Sequence, residues 1–160
     1  MSLEQYCLRK RMVVQSWSTT AYDAARAMED NHVGAIVVQE SGRVVGIVTD
    51  RDLALRIIGC DLDPREALLH DVMTPEPVTL SIAASEEQAA TLMRVSHARR
   101  IPILNGSAVA GIVTLDDLIL SRSIDMGTAA EIVEVQLAEP AASKPAGVTH
   151  LTRRPRSPLA

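Results

Sequence analysis

The sequence predicts an α+β protein with mixed, α/β-type sheets, in which two β-α-β-β-α units pack about a pseudo-twofold axis. Three observations predict it. "GIVTDRD" at Gly46 to Asp52 returns as "GIVTLDD" at Gly111 to Asp117, so the chain carries an internal repeat. Each copy shows the same succession of helix caps and β-rich runs. A unit of about 45 to 60 residues buries too little apolar surface to be comfortably stable alone, so the two copies of a 160-residue chain are expected to form one paired module.

Aligning Thr49 with Thr114 sets an offset of 65, which holds without a gap. It matches Val13 to Val78, Ser16 to Ser81, Ala24 and Ala25 to Ala89 and Ala90, Met28 to Met93, His32 to His97, Ile36 to Ile101, Val44 to Val109 and Leu53 to Leu118. In chain order, brief strands are expected at Met12 to Val14 and at Val78 to Leu80. Thr20 with Asp23, and Ser85 with Gln88, have the spacing of a helix N-cap and its polar N3 partner. The helices they open place Ala21, Ala24, Ala25 and Met28, or Ala89, Leu92 and Met93, on one face. The β-rich runs "AIVVQ" and "IPIL" follow, then turns at Ser41-Gly42 and Asn105-Gly106, then "VVGIVT" and "VAGIVT", which reads as a hairpin in each copy. Thr49 and Thr114 cap a second helix, expected to stop near Gly59 and near Gly127.

The chain is divided accordingly into an N-terminal segment (1–11), a first repeat (12–59), a connector (60–76), a second repeat (77–126), a C-terminal helix (127–139) and a tail (140–160). Met1-Ser2-Leu3 resembles a cloning scar. The connector carries a helix signature of its own, with Asp63 as cap, Pro64 at the first position and Glu66 at the third. Thr128 with Glu131 suggests the cap of the C-terminal helix, although the spacing of Ile132, Val133, Val135 and Leu137 also allows a strand. From Pro140 the chain is rich in Pro, Ala and Ser with Lys144, Arg153, Arg154 and Arg156 and no acid, the pattern of a solvated basic appendage.

Composition narrows the function. Apolar residues make up 47% of the chain, enough for a core, yet no apolar run approaches the roughly 18 residues of a membrane span, so a soluble cytoplasmic protein without membrane contact is expected. A net charge of -4 argues against a protein whose main work is neutralising nucleic-acid phosphates. Aromatics at 2% and no Phe argue against a base-stacking platform for single strands as well. Cys7 and Cys60 form no CxxC and read as free thiols. His32, His97 and these cysteines could make a metal site only by converging, and helix-end roles for the histidines are simpler. Trp17 and Tyr22 read as core or interface residues. No Ser-His-Asp order, HExxH spacing or P-loop is present, so no enzymatic activity is expected.

The repeated block is where chemistry concentrates. A threonine hydroxyl at a helix start can meet phosphate, and an ionised Asp three residues on can accept from both hydroxyls of a ribose. The preceding glycine lets a ligand or a backbone approach closely. Thr-x-x-Asp is equally an ordinary capping box, and the local motif leaves both readings open.

Two β-α-β-β-α units, each ending "G-I-V-T-x-x-D-L", closely resemble the CBS-domain family, whose tandem pair forms a Bateman module; the resemblance runs from about Met12 to Ile124. It implies a non-catalytic regulatory module that binds AMP, ADP, ATP or S-adenosylmethionine in clefts between the repeats. No cofactor is required. The resemblance places Asp52 and Asp117 on ribose and Thr49 and Thr114 on phosphate. Adenine would be gripped by aliphatic side chains and backbone near the first strand and the hairpin strand, at Val13 and Ile36 in one copy and Val78, Ile101 and Pro102 in the other. In "HARRIP" a basic residue ahead of a hydrophobe and Pro would reach phosphate, which makes Arg99 and Arg100 candidates; solvated surface charge is the alternative. The first copy has Gly34, Ala35 and Val37 there, with Arg51 as a substitute, so unequal sites are expected. The resemblance further implies a homodimer formed through helices, or a separate effector protein. The contrasting reading is an interaction scaffold whose motifs merely cap helices.

Overall fold

The computed structural model describes residues 2–9 and 12–138. The chain divides into two compact units, one holding Val13–Ser41 with Val45–Glu76, the other holding the N-terminal segment with the second repeat from Pro77 onward. The expected basic tail, with Lys144, His150 and the three arginines, lies outside the described residues.

In the first repeat β1 (Val14–Ser16) runs parallel to β2 (Ala35–Glu40), with Val14 opposite Val37. Between them α2 (Ala21–Asn31) starts at Thr20, whose Oγ1 accepts the Asp23 N–H at 3.1 Å. It ends at His32 in the left-handed region, where the Val33 N–H reaches the Met28 carbonyl at 3.0 Å and so closes the last turn. The two-residue turn Ser41-Gly42, with φ of 49° and 77°, returns the chain into β3 (Arg43–Thr49); so short a turn joins only antiparallel neighbours. Then come α3 (Asp50–Arg56), a 3-10 turn at Ile58–Cys60, α4 (Leu69–Val72) and β4 (Thr74–Pro75), antiparallel to β3. The sheet order is β1-β2-β3-β4. Ala21, Ala24 and Met28 pack on Ile36, Val38 and Val48, with Ile57, Leu62 and Leu69 closing the core.

The second repeat follows the same plan. Its strands are β5 (Leu80–Ser81), parallel to β6 (Arg100–Asn105), which is antiparallel to β7 (Ala108–Thr114). Its helices are α5 (Glu86–Ser96), opened by the Ser85–Gln88 capping box, and α6 (Leu115–Leu120). Met93, Ile101, Ile103, Val113 and Leu118 form its core. The fold is therefore α+β with two mixed sheets. α7 (Met126–Ala138) adds Ile132 to that core and is tied to α5 by Arg94–Glu131 at 2.9 Å and by Gln136 Nε2 donating to the His97 carbonyl at 2.8 Å.

Several local expectations need correction. The short strands begin two residues later than expected. In the connector, Asp63 to Ala67 makes only turns, with the Ala67 N–H on the Asp63 carbonyl at 3.0 Å, and the helix is α4 further on. The Asp63 carboxylate accepts from the Arg65 N–H, which turns the chain rather than starting a helix. The helix expected to reach Gly127 ends at Leu120, and Arg122 beyond it is left-handed (φ 58°). The end residue of the next helix is Asp125, not Thr128: its Oδ1 accepts the Thr128 N–H at 2.8 Å.

The N-terminal segment is structural. Leu3 has no exposed surface, and its N–H bonds the Ala84 carbonyl at 3.0 Å, so Leu3, which resembles part of a scar, is packed into the second unit. From there α1 (Glu4–Arg9) crosses β7 so closely that a Cβ on Gly111 would stand 3.0 Å from Cys7 Sγ and 3.1 Å from Cys7 Cα. The connector does the same for the first repeat. The Leu69 N–H bonds the Thr19 carbonyl at 2.8 Å, and a Cβ on Gly46 would meet Met73 Sδ at 2.2 Å. Each unit thus has a strap laid over the glycine of its repeated block.

Candidate functional site

Each Thr-x-x-Asp sits where the second hairpin strand, β3 or β7, runs into a short helix, α3 or α6. In the first copy Asp52 Oδ2 accepts the Thr49 N–H and the Thr49 hydroxyl, both at 2.9 Å, while Thr49 Oγ1 accepts the Asp52 N–H at 3.1 Å. In the second, Asp117 Oδ2 accepts the Thr114 N–H and hydroxyl at 2.7 Å, and Thr114 Oγ1 accepts the Asp117 N–H at 3.3 Å. Both motifs therefore form full capping boxes. A carboxylate offers about four acceptor sites and the box uses two of them, so capping alone does not exclude a ligand.

The sheet register decides what stands beside each motif. In the second unit Arg100 is the ladder partner of Thr114, Ile101 of Val113 and Pro102 of Ile112, and the Leu115 N–H bonds the Arg99 carbonyl at 2.9 Å. Residues 99 to 102 and the motif, fifteen positions apart in sequence, are brought together by the β6–β7 hairpin. Directly opposed residues project from the same sheet face, which sets Arg100 beside Thr114. Arg99 is exposed and Arg100 half-buried, and among the described residues neither guanidinium has an ion-pair partner. Ile101 and Pro102 are buried, and Val78 is half-buried beside the core.

In the first unit the equivalent bond runs from the Asp50 N–H to the Gly34 carbonyl at 3.2 Å, so Gly34 and Ala35 occupy the places of the arginines. Arg51 is exposed, with its N–H on the Asp50 carboxylate at 2.8 Å. Ile36 is wholly buried, and Val13 is half-buried against the same core. The two motifs thus share geometry but differ in neighbouring charge.

The sequence reading missed a buried polar cluster behind the second motif. The Tyr6 hydroxyl, delivered by α1, meets the Glu86 carboxylate and Ser121 Oγ, and Gln5 Nε2 donates to Glu86 at 2.8 Å. Burial pushes the Tyr6 phenol above its ordinary value, as does its bond to Glu86. Burial pushes the Glu86 carboxyl up as well, but the hydrogen bonds from Ser123, Tyr6 and Ser121 outweigh it and hold the group below the usual carboxylate range. Cys7 is raised by burial and by Glu4, which makes it a poor nucleophile.

Elsewhere, a groove of about 360 Å³ in the first unit is lined by residues that include Tyr22, Leu53, Ile57, Ile58 and Leu62, and Ile58 is 80% exposed at its edge. None of the expected ligand residues lines it. Trp17 meets His70 edge-on at 5.3 Å, and Arg65 lies 3.8 Å over the Tyr22 ring. Among the described residues no three His, Cys, Asp or Glu side chains are grouped to hold a metal ion, and no helix is long and apolar enough to cross a membrane.

Comparison with known proteins agrees with this geometry. The CBS domain pattern matches residues 18–59 and 69–123, one match on each repeat and more than half of the chain. The chain belongs to the CBS domain family. Among CBS relatives, YhcV of Bacillus subtilis, a CBS domain-containing protein, is 34% identical over 76% of this chain and 86% of its own length. The Bacillus subtilis protein YlbB is 47% identical over 63% of this chain and 69% of its own. A solved CBS domain protein of Thermoplasma acidophilum, TA0289, superposes with a TM-score of 0.76 at 25% identity, covering 87% of this chain and 78% of that one. CBS-domain proteins are generally regulatory modules and typically non-catalytic.

Proposed function

We propose that this chain is a non-catalytic cytoplasmic sensor that binds an adenine nucleotide or adenosyl compound (AMP, ADP, ATP or S-adenosylmethionine) and signals by a change of shape. The observation that carries the reading is the β6–β7 register, which pairs Arg100 with Thr114, while the Arg99 carbonyl accepts from the Leu115 N–H at the start of the motif helix. Two guanidiniums suit phosphate, and a carboxylate three residues into the motif suits the ribose diol. Buried Ile101 and Pro102 and half-buried Val78 supply apolar surface next to them, in keeping with a base held by aliphatic groups. Ligand energy is passed on either to a second copy of this chain or to a separate effector. The apolar groove with exposed Ile58 in the first unit, and Leu120, 82% exposed in the second, supply surface for such an assembly.

Calorimetric titration with AMP, ADP, ATP and S-adenosylmethionine tests the reading. Asp117→Asn is expected to weaken binding by about 10- to 150-fold, the worth of charged hydrogen bonds of roughly 1.5–3 kcal/mol. Replacing Arg99 and Arg100 together by Ala should weaken the phosphorylated ligands more than adenosine. Flat isotherms for all four compounds would sink the sensor reading. They would favour a ligand-free scaffold, whose own support is that both motif carboxylates turn back onto their helix starts.

A further inference from the structure

Tyr6 ties three helices of the second unit with one hydroxyl. It is 8% exposed, and the Glu86 carboxylate that it meets, at the first position of α5, is 7% exposed. An ionised carboxylate only accepts, so the phenol proton goes to Glu86 and the phenol oxygen is left to accept from Ser121 Oγ at 3.0 Å. Ser121 caps the far end of α6. The same serine hydroxyl stands 3.2 Å from the Leu118 carbonyl and 2.6 Å from Ser123 Oγ. With a single proton to give, it has two kinds of arrangement: outward to α1, or back onto α6 and the residues that follow it.

The placing of α6 bears directly on the motif. The helix is six residues long, about 9 Å, with Thr114 and Asp117 at one end and Ser121 at the other, so it shifts as one piece. β7 is held by the same strap: Cys7 lies against Gly111, three residues before Thr114, with no room between them for a Cβ. Seated, α1 fixes both the strand and the helix that meet at the motif. Lifted, it parts Tyr6 from Ser121 and Cys7 from Gly111 together, because the two side chains are neighbours on α1. Building on the nucleotide reading, we infer that α1 is the element through which occupancy of the second motif is reported, with Tyr6 as the positioning residue that joins it to α6. A ligand that requires Arg100, Thr114 and Asp117 in place binds the seated form better and so tightens α1; by reciprocity, a loosened α1 weakens the ligand.

Hydrogen exchange on the full chain tests this through the Leu3 amide, which bonds the Ala84 carbonyl and so reads the seating of α1. Saturating AMP is expected to slow Leu3 exchange about fivefold or more in the unaltered chain, but less than about twofold in Ser121→Ala, which cuts the joint and leaves Tyr6 on Glu86. The slowing at Leu3 should exceed that at the Met73 amide of the first unit, bonded to the Leu69 carbonyl. A Leu3 rate that bound AMP does not change, equal slowing at Met73, or the full effect retained in Ser121→Ala would each overturn the inference. A second arm needs no ligand: Thr114→Ala loosens α6 at its start and should speed Leu3 exchange about threefold or more in the parent but not in the Ser121→Ala chain. Equal acceleration in both shows that α6 and α1 are not joined through Ser121 and overturns the assignment of Tyr6. Absence of AMP binding in calorimetry refutes the nucleotide reading and the reporting role with it, while the Thr114→Ala arm still decides whether α1 and α6 are coupled.

Discussion

Replacing Gly111 by Ala probes why the repeated block contains a glycine at all. Its φ is not in the left-handed region, so the backbone itself accepts alanine, and chain entropy favours the change by about 0.4–1 kcal/mol. The obstacle is α1, since the new methyl would stand 3.0 Å from Cys7 Sγ and 3.1 Å from Cys7 Cα. Carbon contacts are comfortable at about 3.5–4.0 Å, so the helix must retreat by about 0.5 Å. Overpacking of this kind costs about 1–3 kcal/mol, which leaves a net loss of about 1–2 kcal/mol and, for a chain of this size, a melting point lower by roughly 2–8 °C. Because Cα, which no substitution removes, is nearly as close as Sγ, adding Cys7→Ala should restore only part of the loss. Urea denaturation measures the stability, and thiol labelling of Cys7 in a Cys60→Ser background measures how far α1 has lifted. Gly59→Ala, whose Cβ would meet only the Ala54 carbonyl at 3.5 Å, serves as the neutral control. Unchanged stability together with unchanged Cys7 labelling in Gly111→Ala would refute the claim that this glycine admits a strap.

Gly46→Ala should also destabilise; Met73→Ala in the same chain removes the Sδ and Cγ clashes at 2.2 and 2.8 Å but keeps Cβ at 3.0 Å, so it is expected to recover only part of the loss in a thermal melt. Tyr6→Phe removes a donor from the buried Glu86 carboxylate and should cost about 1.5–3 kcal/mol in urea denaturation at neutral pH. The pH dependence follows from Glu86, whose folded value lies below its ordinary 4.5. Its contribution is present in full above that ordinary value and disappears as pH falls through the folded value, so the gap between Tyr6→Phe and the parent should narrow in acid. Thr49→Ala and Thr114→Ala each remove an N-cap and should each lower stability by about 0.5–2 kcal/mol; two-dimensional NMR would locate the loss at α3 or α6.

The parts of the fold that could be read in advance are those specified within a few residues. Thr20 with Asp23 and Ser85 with Gln88 start helices because their side chains satisfy donors that the first turn leaves open, and Ser41-Gly42 turns the chain because it occupies positive φ. The approach of the residues before "IPIL" to the end of "VAGIVT" was implicit once these were read as hairpin arms, but the pairing of Arg100 with Thr114 was not, because a bulge between Ile103 and Leu104 shifts the register by one. The straps left almost no local trace. Leu3 and Leu69 play matching parts, but the segments around them share little else, and the second repeat sits one residue out of step with them. Asp63-Pro64 misled because a cap signature starts a helix only if the following residues have a face to bury, whereas here Ala67 enters the core from outside any helix and Leu69 from the first position of α4.

Seating of Leu3 against Ala84 and of Cys7 against Gly111 has an implication for biosynthesis. Leu3 and Cys7 are translated well before their berth, which is not complete until Ser121 has been added. At about 5–20 residues per second this leaves the segment waiting for roughly 6–24 seconds. A bulky insertion directly ahead of Leu3, or a gene cut between the repeats, should therefore injure the second repeat, which this segment completes.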